Sequence, residues 1–167
     1  MNKTAITKTL FTIWPGLADY ETMLAERAHN HALCSCNSPL LTNRIIDKII
    51  DLNVKQQTIH NLAQRLQRVI GKLPTDTQAV LHSYYQPYGI AGDIPAQAQK
   101  LGIAERTFYR HLDRAITYLT NRLEDIGINF FTWQDLLHQH QWIKASFMRQ
   151  SPLNPPRRTP RQKALNH

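Results

Sequence analysis

Cysteine is nearly missing: Cys34 and Cys36 stand two positions apart in a chain of 167 residues. Two thiols make no disulfide framework, which fits a reducing compartment. Glycine is scarce, six in all, and no stretch alternates β-branched with polar residues, so strands are not expected and no glycine-rich phosphate loop can be drawn. No run reaches the roughly 18 apolar residues that a membrane helix requires. Residues 1–14 show no signal-peptide core or cleavage site, so the expectation is a cytoplasmic protein without a membrane partner. A nucleophile with its base, or a carboxylate pair, cannot be assembled either, and neither an enzyme nor a cofactor is expected. Acid is missing from the end of the chain. From Leu136 onward there is no Asp or Glu, against Lys144, Arg149, Arg157, Arg158, Arg161 and Lys163.

What is present is helical spacing and positive charge. Hydrophobic residues make up 42% of the chain, enough for one good core or two small helical units, and they recur at helical intervals almost throughout. The fold class is read as all-α. A net charge of +8 favours a polyanionic partner but does not choose among nucleic acid, an acidic protein and an anionic surface. The patterning divides the chain into a helical region over 1–72, a motif-bearing region over 73–128, a C-terminal helix over 129–150 and a tail over 151–167. That tail is rich in Pro and Arg and reads as a disordered arm. Arg157, Arg158 and Arg161 either lie along phosphates or in a minor groove, or only keep the chain soluble.

The segment from Lys100 to Leu112 carries the clearest signal. Asp93 is placed to cap a first helix with Pro95 near its start, and Ile94, Ala98 and Leu101 share one face. Gly102 stops that helix, because glycine takes the positive φ of a C-terminal turn without a Cβ clash. A second helix then runs over about 104–125, burying Phe108, Leu112, Ala115, Leu119 and Leu123. Its other side shows Arg106, Tyr109, Arg110, Asp113 and Arg114. This order reads as a helix-turn-helix whose second helix meets DNA in the major groove. The competing reading makes these arginines a solvated face paired with Glu105 and Asp113.

Leu73-Pro74, Val80-Leu81, Tyr84-Tyr85, the helix-turn-helix, and the run from Arg110 to Ala115 together resemble region four of bacterial sigma factors. More closely, the chain resembles small phage late-gene regulators of the RinA and ArpU types and short antitermination proteins of the Q type. The resemblance spans about 73–127, a third of the chain. It implies a transcriptional role, with double-stranded DNA as partner. Glu105, Arg106, Thr107, Tyr109 and Arg110 would occupy DNA-reading positions, and Arg114 a flanking phosphate position. Lys100, closing the first helix, joins them as a candidate contact. Two rival roles share the motif: a protein riding on RNA polymerase, as antitermination proteins do, and a DNA-recognition subunit of a packaging complex.

In the front half, a short helix is expected over 19–32. A long one follows in which Ile45, Ile49, Leu52, Gln56, Ile59, Ala63, Leu66 and Ile70 alternate steps of four and three, a heptad seam. Ile46, Ile50, Leu62 and Val69 widen the stripe. The seam therefore either packs within the monomer or joins a homodimer through the 45–70 helix. The outer face, with Arg44, Lys48, Lys55, Arg65, Arg68 and Lys72, reads as basic. After the motif, Phe130, Phe131 and Trp133 open one last helix that folds back on the core, or else, beside basic residues, stack on single-stranded nucleic acid. His29, His31, Cys34 and Cys36 are all capable zinc ligands, but their crowding does not match the paired knuckles of structural sites, so no metal is expected. His138 and His140 read as surface residues. Asp76 and Asp93 read as helix caps.

Overall fold

The computed structural model describes residues 2–34, 42–85 and 94–150. Among these residues the secondary structure is helical and there is no strand, so the chain is all-α. No helix among them is long and apolar enough to cross a membrane.

The chain opens on a helix that the periodicity did not disclose. Helix α1 covers Lys3–Ile13, capped by the Asn2 side chain, which accepts from the Ala5 N–H at 3.0 Å. Ile6, Leu10, Phe11 and Ile13 are buried, and so are Thr7 and Thr9. Both hydroxyls are satisfied. Thr9 donates to the Ala5 carbonyl at 2.8 Å, and Thr7 shares a 2.9 Å hydrogen bond with Thr120, 113 residues downstream. A short 3-10 turn over Trp14–Gly16 leads into α2, Leu17–Cys34, which begins earlier and ends later than the expected 19–32.

Helix α3, Thr42–Ile70, folds back along α2, with His60 Nδ1 3.0 Å from the Glu21 carboxylate. Its inward side is the seam: Ile59, Leu66 and Ile70 are buried, as are Leu62 and Val69. Leu52 and Ala63 pack partly against the core. A homodimer through that seam would have to displace α2. Ile46 and Ile50 do not widen the seam as expected, because both are exposed. The outer face is also less free and less basic than the sequence reading: Lys55 is tied to Asp51 at 2.6 Å, and Arg65 donates to the Ile126 carbonyl at 3.2 Å.

Helices α4 (Thr75–Tyr84), α5 (Ile94–Lys100) and α6 (Glu105–Thr120) pack on one another, and α1 lies against α6 and α8. Asp76 is not a cap: Pro74 holds that position, and Asp76 sits in the first turn, where a carboxylate suits the helix dipole. Asp93 lies outside the described residues. Helix α6 ends at Thr120, short of the expected 125. The chain then continues in turns to Gly127, whose φ of 76° lets Ile128 N–H reach the Leu123 carbonyl at 2.8 Å.

The expected single C-terminal helix is two helices, α7 (Phe130–Gln139) and α8 (Gln141–Gln150). His140 parts them. Its backbone is extended; its N–H ends α7 on the Leu136 carbonyl and its carbonyl accepts from Lys144 to begin α8. Its ring is fully buried, contrary to the surface expectation. Nδ1 lies 3.3 Å from the Tyr20 hydroxyl, and Nε2 has no partner among the described residues. His138 is exposed. One cluster of buried side chains runs from Ile6 to Ile143 and joins all these elements.

Two predictions follow from the packing. Burial, aided by Lys55 and opposed by Asp51, lowers the His140 pKa from 6.5 to about 4. The unfolded chain therefore binds more protons between those values, and the stability held by neutral His140 is present above about pH 6.5 and drains away as pH falls toward 4. Between pH 7 and pH 5 the wild type should lose about 2 kcal/mol more than His140→Gln in urea titrations. Equal losses would show that folding leaves the His140 pKa unshifted.

The glycines separate two costs. A Cβ on Gly102, at φ 66°, meets nothing within 4 Å, whereas on Gly127 it would run into the Arg65 guanidinium. Gly102→Ala should cost about 1 kcal/mol from backbone strain alone, and Gly127→Ala more, with the excess removed in an Arg65→Ala background.

Candidate nucleic-acid interface

Helix α6 is divided lengthwise. Phe108, Leu112, Ala115 and Leu119 are buried, and Leu123 beyond the helix end continues their line. Three contacts hold this side in place. Tyr84 of α4 sets its ring edge-on to Phe108 at 6.4 Å, Thr77 bonds His111 Nδ1 at 2.9 Å, and α1 packs against the helix, with Thr7 bonded to Thr120 in its last turn. The rotation of α6 about its axis is therefore fixed by packing on several sides.

The approach to α6 is fixed as well. At Gly102 the Ile103 N–H bonds the Ala98 carbonyl and the Gly102 N–H bonds the Gln99 carbonyl, both at 3.0 Å. That pair of bonds is the glycine-terminated helix stop with a left-handed residue. Ile94, Leu101 and Ile103 pack against the core and Ala98 is buried, so α5 is seated on its expected face. Ala104 then begins α6 with no side-chain cap; the Thr107 N–H turns back to the Ala104 carbonyl at 2.9 Å, and the Glu105 and Arg106 N–H groups are left open to an outside acceptor.

The outward side of α6 holds the proposed contacts. Glu105, Arg106, Tyr109, Arg110 and Arg114 are exposed, Thr107 is half-buried, and Lys100 is exposed at the end of α5. Tyr109 shows half of its surface to solvent, much for so large a ring. Among the described residues no carboxylate lies within 4.0 Å of Arg106, Arg110 or Arg114, although Glu105 and Asp113 are neighbours in sequence. The solvated-pair reading of these arginines does not describe the geometry. Arg122, beyond the other end of the helix, shows the contrast: it lies 4.0 Å over the Tyr118 ring and 4.0 Å from Asp125. Arg157, Arg158 and Arg161 lie outside the described residues.

The aromatic cluster after α6 splits in two. Trp133 is core, edge-on to Phe147 at 5.4 Å, while Phe130 and Phe131 stand 53% and 75% exposed against each other. Helical spacing predicted burial for the group and missed this pair. The only local signal was the Asn129/Thr132 capping box, which starts α7 at Phe130 and turns its first residues outward.

Among the described residues no three His, Cys, Asp or Glu side chains gather as metal ligands. His29 and Cys34 are exposed on α2, His31 is half-buried, and Cys36 lies outside the described residues. The polar chemistry on display is thus cationic and hydrogen-bonding, suited to an anionic ligand with a regular surface. Comparison with protein families, with curated proteins and with solved structures gives no match to this chain.

Proposed function

We propose that the chain is a sequence-specific DNA-binding regulator of transcription, in which α5, the Gly102 corner and α6 act as a helix-turn-helix. One observation carries the reading: Arg106, Arg110 and Arg114 sit unpaired and exposed, with Tyr109 among them, on a helix whose opposite side is locked in the core. Three guanidiniums free of carboxylates on one locked helix suit a partner that brings its own anions.

The division of labour follows from position. The N-terminal part of a recognition helix meets base edges, so Arg106, Tyr109 and Arg110 discriminate sequence, with Glu105 and Thr107 flanking them. Arg114 and Lys100 lie further out and hold phosphates, and the first-turn N–H groups of α6 are suited to another. Arg157, Arg158 and Arg161 add charge from the tail that raises affinity without choosing sequence. The likeness of 73–127 to sigma region four and to phage late-gene regulators makes activation of phage late genes the assignment.

A second reading, an antitermination-type protein acting on RNA polymerase, is favoured by Phe130 and Phe131. They lie past the end of α6 remote from Arg106, a helix of 16 residues and about 24 Å. Exposed aromatics of this kind anchor protein contacts.

Titration onto duplexes from the gene neighbourhood, beside scrambled controls and over a salt series, tests both readings. Arg110→Ala should weaken the preferred duplex by roughly tenfold to a hundredfold and scrambled DNA little. Arg114→Ala should weaken both alike and lower the salt slope by about 1. No preference among duplexes for the wild type refutes sequence reading. On the second reading, added polymerase tightens binding and Phe131→Ser abolishes only that gain.

A further inference from the structure

The outward side of α3 carries a strip that no described residue covers. Ile46, Ile50 and Val54 are 45%, 55% and 54% exposed, and their spacing of four stacks them into one continuous ridge. Single exposed aliphatics are ordinary; three in line on one helix are not. The strip lies where α3 meets the core only through half-buried side chains such as Leu52, for between residues 43 and 58 no side chain of this helix is fully buried.

Its surroundings indicate the occupant. Asn43, Asn53, Gln57 and Asn61 are exposed beside it and bear no charge, and Gln57 is bonded to Asn61 at 3.1 Å. Asp47 and Asp51 stand along one edge, the latter tied to Lys55. Lys or Arg is missing from the strip itself, so nucleic acid has nothing to hold there. A chain of net charge +8 repels its own copies over most of its surface, and this uncharged side is where that repulsion is least.

The sequence of the strip also fits a paired helix. Asn43, Ile46, Ile50, Asn53 and Gln57 advance by three, four, three and four, with β-branched residues at the centre. A side-chain amide donates and accepts at once, so an asparagine in such a seam is best met by another amide, as an identical helix supplies. We infer that a second copy of this chain docks on the Ile46–Ile50–Val54 face of α3, giving a homodimer through the side of the helix opposite its heptad seam. Three half-exposed side chains fall well short of the ~800 Å² per partner of a standard interface, so the dimer is weak and forms at micromolar concentrations or above. The inference is independent of whether α6 reads DNA.

Sedimentation of the full chain from about 5 to about 200 µM tests it. The weight-average mass should climb from one chain toward two, and the Ile46→Gln/Ile50→Gln variant, altered only at exposed sites, should keep its melting temperature and remain a single chain throughout. A wild type that stays monomeric, or a variant that associates as the wild type does, overturns the inference. Amide hydrogen exchange of the unmutated chain gives an independent check: raising the concentration should slow exchange over residues 43–57. Slowing confined to any other helix would place the contact elsewhere and refute it.

Discussion

The structure depends on the seating of α1 between α6 and α8. Ile6, Leu10 and Phe11 have no exposed surface, and the Phe11 ring meets Tyr85 at 5.5 Å, beyond the end of α4. Without α1, the buried stripe of α6 would be covered by α4 and α5 along only part of its length. Burying a leucine- or phenylalanine-sized side chain contributes on the order of 1.5–3 kcal/mol, so these few residues hold a large fraction of the stability that a chain of this size can have. The threonines set the depth of the insertion, because the Thr7–Thr120 bond ties α1 to the last turn of α6 at one register.

That anchoring gives the outward side of α6 its character. A guanidinium is useful for recognition only if the backbone beneath it does not turn, and here the backbone is gripped by ring contacts, by the Thr77–His111 bond and by the glycine stop before it. The same principle separates the arginines by role. Arg122 and Arg65 are engaged with a ring, a carboxylate or a carbonyl and belong to the fold. Arg106, Arg110 and Arg114 touch nothing comparable. The net charge of +8 already cancels cations paired with carboxylates, such as Lys3, Lys55 and Arg122, so the excess rests on groups left free, these three arginines among them.

Most of the helical plan was legible in the sequence. The stripe from Phe108 to Leu123 is buried as its spacing indicates, as are Ile59, Leu66 and Ile70 at the end of the seam, while the earlier seam positions Ile45, Ile49, Leu52 and Gln56 are only half-buried; Gly102 takes the positive φ its place in the pattern requires. What could not be read has physical causes. Helix α1 hid behind Thr7 and Thr9, which count as polar in any periodicity yet are buried once their hydroxyls find partners. The break at His140 carries neither glycine nor proline. Its imidazole is buried with the Tyr20 ring edge-on to it from 120 residues away in sequence, and no local pattern records such a contact. Ile46 and Ile50 look like core by composition; only the path of α2 decides that the core ends before reaching them. Of the proposed contacts, the exposure of the α6 arginines was legible, whereas their freedom from Glu105 and Asp113 was not, since sequence proximity pointed the other way.

The first helix and its partners stand at opposite ends of the chain: Thr7 meets Thr120, and Thr12 receives a 3.4 Å bond from Gln150. On a ribosome the apolar side of α1 emerges before the α6 and α8 surfaces that seat it. At roughly 5–20 residues per second, some tens of seconds at the slow end separate the two. During that interval Ile6, Leu10 and Phe11 have no native cover, and the nascent chain is at its most prone to stray association. Completion of the fold is thus postponed until nearly all of the described chain has been synthesised, so a message broken before α8 would release a product whose opening helix has lost one of the two surfaces it was shaped to fill.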